Sequence, residues 1–492
     1  MRSYDHWING APYSRNETSI ERRSPAHGRP LAAFKAGSKA DVDVAVEAAR
    51  RIFDSRSGWP DWPSTERAGV LQKLAGLMEK NLEQLAVIEA EEVGKPIRFA
   101  RGEVAGAIEL TRYAAALAWQ MNGDIFNHLG ADKLGLVTWE PCGVVGMIVP
   151  WNFPLVTLFQ KLPFALAAGC AVVAKPSEFT SGTAMEVAAL TSEAGLPAGA
   201  FNVVTGTGSD VGEALVDHPG IDMISFTGST IVGKRIAARA SAQVKRVALE
   251  LGGKAANTVF ADADLAAALD GVLFGMILNQ GEECCAGARL LVEEKIVDRF
   301  VEILVARAKK VVVGLPLDER TDIGALIHRQ HLEKVLGHIA RAKEEGATIA
   351  SGGERPCTAE LADGFFVEPT ILAGVTPGMT AFREEIFGPV LTVTTFRDVE
   401  EAVALVNDTT YGLANGLWTK DIDRALQVSR RLRSGTVYVN TYLETVPQLP
   451  FGGFKQSGLG RENGREGLLA YMEVKSTFMK LGERTAALPH TI

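Results

Sequence analysis

Cysteine, histidine and the larger aromatic residues are scarce in this chain of 492 residues, and their scarcity narrows the kinds of site that it can build. Its five cysteines, at positions 142, 170, 284, 285 and 357, have the spacing neither of a metal-ligand set nor of a disulfide framework. The eight histidines form no HExxH-like cluster, so no metal site is expected. An odd number of unpatterned cysteines favours a reducing, cytoplasmic setting.

The chain also lacks a basic excess and a long apolar run. Its net charge is −8, and no basic stripe with interleaved aromatic residues occurs, so nucleic acid is not an expected partner. The longest apolar stretch, 162–174, has only 13 residues and contains Pro163 and Gly169. The first residues, MRSYDHWINGAPYSRNE, lack the apolar core of a signal peptide. We therefore expect no contact with a membrane.

Glycine, by contrast, is plentiful, and apolar residues recur at regular intervals. Fifty glycines against seven tyrosines and seven tryptophans favour the tight turns of an α/β protein over an aromatic-rich binding module. Helical spacing predicts a helix over 41–53, begun by a capping box of Ser38 and Asp41, and another over about 65–92. A chain of this length exceeds one compact core, so two or three domains are expected.

From about residue 134, short apolar runs alternate with amphipathic segments, which is typical of a largely parallel sheet with helices on both faces. The predicted strands are 134–139, 144–149, 171–174, 201–204, 223–226 and 247–249. The predicted helices are 182–194, 209–216, 297–313, 331–345 and 399–407. A second set of elements begins near residue 257, so we expect two α/β lobes joined near residue 253, with the reactive residues around the junction.

Two polar residues stand beside glycines. Cys284 lies in NQGEECCAG, where a glycine-rich turn can expose a thiol and aim backbone N–H groups at the oxygen of its adduct. An isolated cysteine is more often an inert packing residue. Glu250 ends an apolar strand in LELGGK, where burial would raise its pKa and suit it to general-base catalysis. A solvated carboxylate at a strand end is the commoner case.

The segment ISFTGSTIVGK, 224–234, predicts a strand, a turn of small residues and a helix. Backbone N–H groups at the start of such a helix suit a pyrophosphate. Gly228 and Gly233 do not have GxGxxG spacing, so the Rossmann fingerprint is absent and a plain tight turn fits equally well.

Seven motifs occur in one order along the chain. They are PWNFP (150–154), VVAKPSE (172–178), FTGSTIVG (226–233), LELGGK (249–254), NQGEECCAG (279–287), EEIFGPV (384–390) and PFGGFKQSGLGRE (450–462). Together they resemble the aldehyde dehydrogenase superfamily, from about residue 8 to about residue 480. The resemblance implies an NAD(P)-dependent enzyme that oxidises an aldehyde to a carboxylic acid.

The resemblance also implies a fold of class α/β, with a Rossmann-like cofactor domain, an α/β catalytic domain and a small β oligomerisation arm. The family's arrangement places the NAD-binding domain at 1–120 and 142–252, the catalytic domain at 253–469, and the arm at 121–141 and 470–487. Such proteins are dimers or tetramers, and the exposed strand edge of the arm needs a partner. We therefore expect a homodimer or a homotetramer.

Three catalytic roles follow from the resemblance. The nucleophile is the cysteine two places after GE, which selects Cys284 over Cys285. Its thiolate attacks the aldehyde carbon, and the Asn152 side chain and the Cys284 backbone N–H hold the oxyanion. Hydride transfer leaves a thioester, and Glu250 activates the water that hydrolyses it. Relatives that pass the acyl group to coenzyme A typically lack this glutamate, so Glu250 favours a free acid as product.

The cofactor contacts are implied in the same way. Lys175 and Glu178 match the positions that bind the adenosine ribose hydroxyls. The positions that contact the pyrophosphate and the nicotinamide riboside match Trp151, Gly228, Ser229, Glu385 and Phe387. Glu178 would meet a 2′-phosphate with like charge, so NAD is expected to be preferred, with NADP possible.

The family's pocket-lining positions fall on Phe153, Gln160, Glu283 and Thr445, with Glu444 beside them. These glutamates, with no arginine in the same segments, would repel a carboxylate-bearing semialdehyde and hold an ω-aminoaldehyde or a hydroxylated aldehyde. The aromatic box with which betaine-aldehyde enzymes hold a quaternary ammonium is incomplete. Solvent or subunit contacts explain the two glutamates equally well.

Other functions stay open at this point. A coenzyme-A-acylating dehydrogenase is disfavoured by Glu250, whereas betaine-aldehyde and semialdehyde dehydrogenases differ in substrate alone. A cysteine hydrolase would use Cys284 and Glu250 but would leave the KPSE, FTGSTIVG and EEIFGPV motifs without a role. A non-catalytic descendant is expected to lose its nucleophile or its base, and both are present.

Overall fold

The computed structural model describes residues 1–55 and 57–483, in which strands and helices alternate and build four β-sheets. The strands are β1 Arg2–Tyr4, β2 His6–Ile8, β3 Ala11–Tyr13, β4 Ser19–Arg23, β5 Pro30–Lys35, β6 Asp124–Phe126, β7 Lys133–Pro141, β8 Val144–Ile148, β9 Ala171–Lys175, β10 Phe201–Val203, β11 Met223–Thr227, β12 Arg246–Glu250, β13 Ala256–Val259, β14 Arg289–Glu293, β15 Thr348–Ser351, β16 Thr370–Ala373, β17 Val390–Phe396, β18 Ala414–Trp418, β19 Thr436–Val439, β20 Gly458–Leu459 and β21 Met472–Lys480.

The helices cover the two main sheets. They are α1 Lys39–Asp54, α2 Ser64–Lys80, α3 Leu82–Val93, α4 Ile97–Ala118, α5 Pro154–Phe159, α6 Leu162–Ala168, α7 Gly182–Glu193, α8 Glu213–Asp217, α9 Thr230–Ser241, α10 Leu265–Ile277, α11 Val297–Ala308, α12 Arg329–Glu344, α13 Thr380–Arg383, α14 Val399–Asn407, α15 Ile422–Arg431 and α16 Gly464–Leu469. Within the described ranges, no helix combines the length and the hydrophobicity that a membrane crossing requires.

The first main sheet has the strand order β20-β12-β11-β8-β9-β10-β2-β3. Its central strands, β12 to β10 in that order, run parallel to one another. Every residue of β8 and β9 is buried, because helices cover both faces, which explains why these strands are nearly continuous apolar runs. The five strands predicted between residues 144 and 249 are all present, each within one residue of its predicted limits.

The second main sheet has the order β15-β16-β17-β14-β13-β18-β19, with β15 antiparallel to β16 and the other pairs parallel. The first of its strands along the chain is β13, which begins close to residue 257, where the second set of elements was predicted to start. The helix predicted over 399–407 is α14, and the one predicted over 331–345 is α12. The helix predicted over 297–313 is α11, which ends earlier, at Ala308.

Two helix predictions were wrong in detail. The helix predicted over 65–92 is two helices, α2 and α3, which meet at Asn81. The Asn81 side chain donates to the carbonyl of Leu77 at 2.8 Å and competes with the helical pattern there. The helix predicted over 209–216 starts as a wide π turn, Gly208–Gly212, and becomes α-helical at Glu213.

The capping box predicted for α1 is present. The backbone N–H of Ser38 donates to the Asp41 carboxylate at 2.9 Å, which satisfies a donor at the helix start. The helix then buries Val42, Ala45 and Val46 on one face, as the helical spacing predicts.

The two segments that the resemblance assigns to the arm contain the strands of a small sheet, β21-β7-β6. β7 and β21 pair antiparallel along their full lengths, from Met472 opposite Pro141 to Lys480 opposite Lys133. Apolar side chains of this sheet are exposed: Ile125, Phe126, Val474 and Phe478. Of the predicted arm segment 470–487, residues 484–487 lie outside the described part of the chain.

The two main sheets are joined by residues 251–254. The backbone of this connection lies in close contact with neighbouring segments of the chain. A Cβ atom on Gly253 would clash with the carbonyl oxygen of Cys284. The Gly253 N–H donates to Oε1 of Glu385 at 2.9 Å, and Ser457 Oγ donates to the carbonyl of Gly252 at 2.7 Å. Four of the seven motifs therefore meet at this junction.

We predict that Gly253→Ala destabilises the protein by about 1–3 kcal/mol, because the added methyl group overpacks the junction. Gly337→Ala is the matched control: it lies in α12, and its Cβ would meet no described atom within 4 Å. Alanine there is expected to be neutral or to stabilise by up to about 1 kcal/mol. Urea unfolding midpoints measure both effects, and equal stability of the two variants would contradict the close packing at Gly253.

Candidate active site

Two clefts open beside the junction. The first has a volume of about 530 Å³ and the second of about 310 Å³. Both are lined by Pro150, Trp151, Thr227, Gly228 and Ser229. The second cleft lies at the carboxyl ends of β8, β9 and β11, where open α/β sheets usually bind their ligands.

Cys284 lines the first cleft and is partly exposed there. The loop that leads to it has an unusual backbone, because Asn279, Gln280 and Gly281 have φ angles of 49°, 58° and 70°. Side chains other than glycine adopt this left-handed conformation at a cost of roughly 1–3 kcal/mol each. The loop therefore needs specific contacts to keep its shape.

Two asparagines supply these contacts. Asn152 Nδ2 donates to the carbonyl of Glu282 at 2.9 Å. Asn279 Nδ2 donates to the same carbonyl at 3.1 Å and to the carbonyl of Asn152 at 2.9 Å. The buried Glu282 carboxyl accepts the N–H of Ile327 at 3.0 Å. Because an amide nitrogen carries two hydrogens, Asn152 retains one for a ligand in the cleft, which it lines.

The neighbouring thiol of Cys285 has different surroundings. Cys285 is 2% exposed and packs in the core of the second lobe, and its carbonyl accepts the Tyr442 hydroxyl at 2.8 Å. The first cleft thus offers a ligand the thiol of Cys284 more readily than that of Cys285.

Glu250 ends β12 and lines the first cleft with Cys284. It is only 4% exposed. Glu250 is therefore a buried carboxyl group and not the solvated strand-end carboxylate that is the commoner case. A Cβ on Gly452 would lie 2.7 Å from its Oε1, so the glycine of PFGG makes room for the carboxyl group. Burial, reinforced by the nearby Glu462, raises the pKa of Glu250 well above its usual value.

A buried ion pair that the sequence did not single out lies near Glu250. Lys161 Nζ donates to Oε1 of Glu462 and, at 2.6 Å, to Oγ1 of Thr227. The Lys161 charge opposes the rise in the pKa of Glu250. Glu462 is the last residue of the motif PFGGFKQSGLGRE, and this was the one feature of the sequence that could have pointed to the ion pair. Lys161 lies in none of the seven motifs.

The second cleft is lined by Lys175 and Glu178 of the KPSE motif. Lys175 is buried at the end of β9, and its Nζ donates to Oε2 of Glu178 at 3.2 Å. The turn between β11 and α9 forms another wall. There Ser229 Oγ accepts the N–H of Val232 at 3.4 Å.

Gly228, in the same turn, connects the second cleft to the first. Its N–H donates to the backbone carbonyl of Glu250 at 3.0 Å. A side chain on Gly228 would collide with the ring of Phe226, so glycine keeps the turn close to the sheet. The turn of the second cleft and the acid of the first cleft are therefore held together through the backbone.

Trp151, Phe387 and Glu385 lie where the clefts meet, in the lining of the first. The rings of Trp151 and Phe387 pack edge to face at 5.5 Å between centroids. Glu385 accepts the Gly253 N–H, and burial raises the pKa of its carboxyl to about 7. All seven residues predicted to contact the cofactor thus line one cleft or the other.

The predicted substrate residues Phe153, Gln160, Glu283 and Thr445 all line the first cleft. Glu444 is exposed and is not among the described residues that line it. Burial raises the pKa of Glu283 to about 8, and the nearby Lys95 opposes the rise.

Residues outside the motifs add walls that the sequence did not reveal. In the first cleft these include Arg98, Phe99, Gly102 and Gly106 of α4 and Tyr438 of β19. In the second they include Glu213, Arg235 and Arg239, where both arginines pair with Glu213. Their signal was weak, because α4 and α9 have ordinary helical spacing and reach the clefts through tertiary packing alone. In the described part of the chain, no group of three or more acidic, cysteine or histidine side chains is arranged to hold a metal ion.

Comparison with known proteins gives the same assignment as the motifs. The sequence pattern of the aldehyde dehydrogenase family matches residues 13–477. Aldehyde dehydrogenase 1A1 of Rattus norvegicus is 43% identical over 465 residues, which cover 94% of this chain and 92% of that protein.

Solved structures agree closely with the fold. The NAD-dependent aldehyde dehydrogenase from Sinorhizobium meliloti is 45% identical, with a TM-score of 0.96 over 99% of this chain and 96% of that one. Betaine aldehyde dehydrogenase from Staphylococcus aureus in complex with NAD+ is 37% identical, with a TM-score of 0.97 over 99% and 97%. These matches confirm the α/β fold that the motifs imply, and the chain belongs to the aldehyde dehydrogenase family.

Proposed function

We propose that the enzyme oxidises an aldehyde to a free carboxylic acid through a thioester on Cys284, with NAD+ as the oxidant. The observation that carries the proposal is that Cys284, Asn152 and the buried Glu250 line one cleft, which shares a wall with a second cleft suited to a dinucleotide. A thiol, a free amide hydrogen and a base of raised pKa are the groups that thioester formation and hydrolysis need.

The second cleft fits NAD+ by the chemistry of its donors. Lys175 and Glu178 would hold the adenosine ribose hydroxyls, and the start of α9 with Gly228 and Ser229 would face the pyrophosphate. When bound, NAD+ supplies the hydride acceptor, and relatives of this chain are NAD-dependent or hold NAD+. Glu178 would meet a 2′-phosphate with like charge, so we propose NAD+ over NADP+, although paired arginines lie nearby.

The nicotinamide riboside would lie where the clefts meet. Glu385 would accept hydrogen bonds from the ribose hydroxyls, and Phe387 and Trp151 would enclose the ring. That position brings the hydride acceptor beside Cys284, since these residues line the same cleft.

The chain's own groups divide the chemistry between them. The Cys284 thiolate attacks the aldehyde carbon, and the second hydrogen of Asn152 Nδ2 stabilises the oxyanion. After hydride transfer, Glu250 takes a proton from the water that attacks the thioester. A coenzyme-A-acylating enzyme would have no use for this base, so hydrolysis is favoured.

We also propose that the chain has the three-part division 1–120 with 142–252, 253–469, and 121–141 with 470–487, and that the last part mediates association. The exposed apolar side chains of the small sheet support a homodimer or homotetramer, because open strand edges invite pairing. Within 253–469, β20 returns to pair with β12 of the first sheet.

A cytoplasmic location is proposed as well. The odd number of cysteines, which lack the spacing of a disulfide framework, supports a reducing compartment.

For the substrate we propose an aldehyde that carries an amine or hydroxyl group, held near Glu283. Its Oε2 is buried and has no hydrogen-bond partner among the described residues. Lys95 lies nearby, 4.2 Å from the ring centre of Phe153, and pairs with Glu103, so the charge of Lys95 is already compensated. An unpaired buried carboxyl is best satisfied by a cationic ligand. A quaternary ammonium is the second candidate, since aromatic rings of Phe99, Phe153, Tyr438 and Phe451 line the same cleft.

We predict that Cys284→Ala abolishes NADH formation and leaves NAD+ binding nearly intact, because the thiol makes the covalent bond. Cys285→Ala is the matched control and should keep most activity, since its side chain packs in the core. NADH absorbance and a cofactor titration measure the two effects. If only the Cys285 variant lost activity, the nucleophile would be Cys285 and the assignment to Cys284 would be wrong.

Glu250→Gln should separate the two halves of the reaction. Attack and hydride transfer need no base at this position, whereas hydrolysis does, so turnover should fall by about 10²–10⁴-fold. Rapid mixing should then show a burst of NADH, followed by slow steady-state turnover that is limited by hydrolysis of the thioester. A variant that gives no burst would place Glu250 before hydride transfer.

The raised pKa of Glu283 predicts a pH-dependent preference for cationic aldehydes. With a pKa of about 8, its carboxyl is mostly neutral at pH 7 and ionised at pH 9, while an alkylamine stays charged up to about pH 10. The ratio of kcat/KM for 3-aminopropanal to that for butanal should therefore increase about tenfold from pH 7 to pH 9.

Two variants test this ratio. Glu283→Gln should remove its pH dependence, and Glu444→Gln, at an exposed position outside the cleft lining, should leave it unchanged. Succinic semialdehyde should be the poorest substrate. A ratio independent of pH in the unmodified enzyme, or a preference for succinic semialdehyde, would refute the role of Glu283.

A further inference from the structure

His331, near the start of α12, lines the first cleft. Its Nε2 is 2.7 Å from the carbonyl oxygen of Phe387 and 3.6 Å from Oε1 of Glu282. Because a carbonyl can only accept, the hydrogen is on Nε2 and is donated to Phe387. The ring also packs edge to face against Trp151 at 5.6 Å between centroids. His331 thus contacts the cofactor side and the loop that carries Cys284.

The turn that His331 contacts is strained. Phe387 has a φ angle of 63°, a left-handed conformation that a bulky side chain rarely adopts. The next residue, Gly388, packs so closely on Gly281 of the nucleophile loop that a Cβ on Gly281 would clash with its carbonyl group. A shift of this turn would therefore also displace the loop that positions Cys284.

We propose that His331 is a positioning residue that holds the Phe387 turn against the nucleophile loop and so sets the distance between nicotinamide and the adduct on Cys284. This rests on the proposed function, because it takes Phe387 as a nicotinamide contact. Burial lowers the pKa of His331 to about 4, so its ring is neutral at physiological pH. A neutral donor holds the carbonyl without placing a positive charge beside the cationic ring of NAD+.

The test uses the whole enzyme and three variants. His331→Ala should reduce kcat about tenfold or more, because a misplaced hydride acceptor slows the chemical step. A deuterated aldehyde should then show a larger isotope effect on kcat, and NADH affinity, measured by its fluorescence, should change less than kcat. His331→Gln offers an amide N–H at a similar reach and should restore most of kcat. His338→Ala, on the same helix, is the control that should behave as the unmodified enzyme.

A double variant tests whether His331 acts through Phe387. Phe387→Gly accepts the left-handed conformation without strain, so adding His331→Ala to it should reduce kcat less than it does alone. Purely additive effects, an unchanged isotope effect in His331→Ala, or a glutamine variant as slow as the alanine variant would overturn the proposal. Failure of the proposed function would differ, because the unmodified enzyme would then form no NADH with any aldehyde.

Discussion

Three consecutive residues in the left-handed region, Asn279 to Gly281, set the position of Cys284, and the site depends on the hydrogen bonds that hold them. The amides of Asn152 and Asn279 converge on the carbonyl of Glu282, which fixes the loop two residues before Cys284. Conformational strain of this kind persists only where the surroundings over-determine it. The same Asn152 that secures the loop retains one amide hydrogen, and we propose that this hydrogen stabilises the oxyanion.

Burial then tunes the acids around this loop. Glu250, Glu283 and Glu385 all have raised pKa values, because burial disfavours their charged forms. Lys161 opposes the rise in the pKa of Glu250 and Lys95 opposes it for Glu283, and each of these two acids has one oxygen without a hydrogen-bond partner among the described residues. The different roles proposed for Glu250 and Glu283 therefore rest on their places in the first cleft.

The sequence predicted what depends on local pattern. The buried strands β8 and β9 and the position of Glu250 at the end of β12 followed from apolar runs and glycines, whereas the choice of Cys284 came from the resemblance to a family. It could not predict contacts between distant segments: Lys161 meets Glu462 across 301 positions of sequence. It also missed the break between α2 and α3 at Asn81, whose side chain donates an additional hydrogen bond to the carbonyl of Leu77. Glu444 and Thr445 are adjacent in sequence, yet only Thr445 is among the described residues lining the cleft, a distinction that only the folded loop makes.

The proposed mechanism requires the acyl group to reside on Cys284 before water removes it. The most direct test is to mix the Glu250→Gln enzyme with aldehyde and NAD+, quench it in acid, and fragment the peptide that contains both neighbouring cysteines by mass spectrometry. We expect one acyl group per subunit, attached to Cys284 and absent without NAD+. Acyl groups found on Cys285, or NADH formed with no acyl group on either cysteine, would contradict it.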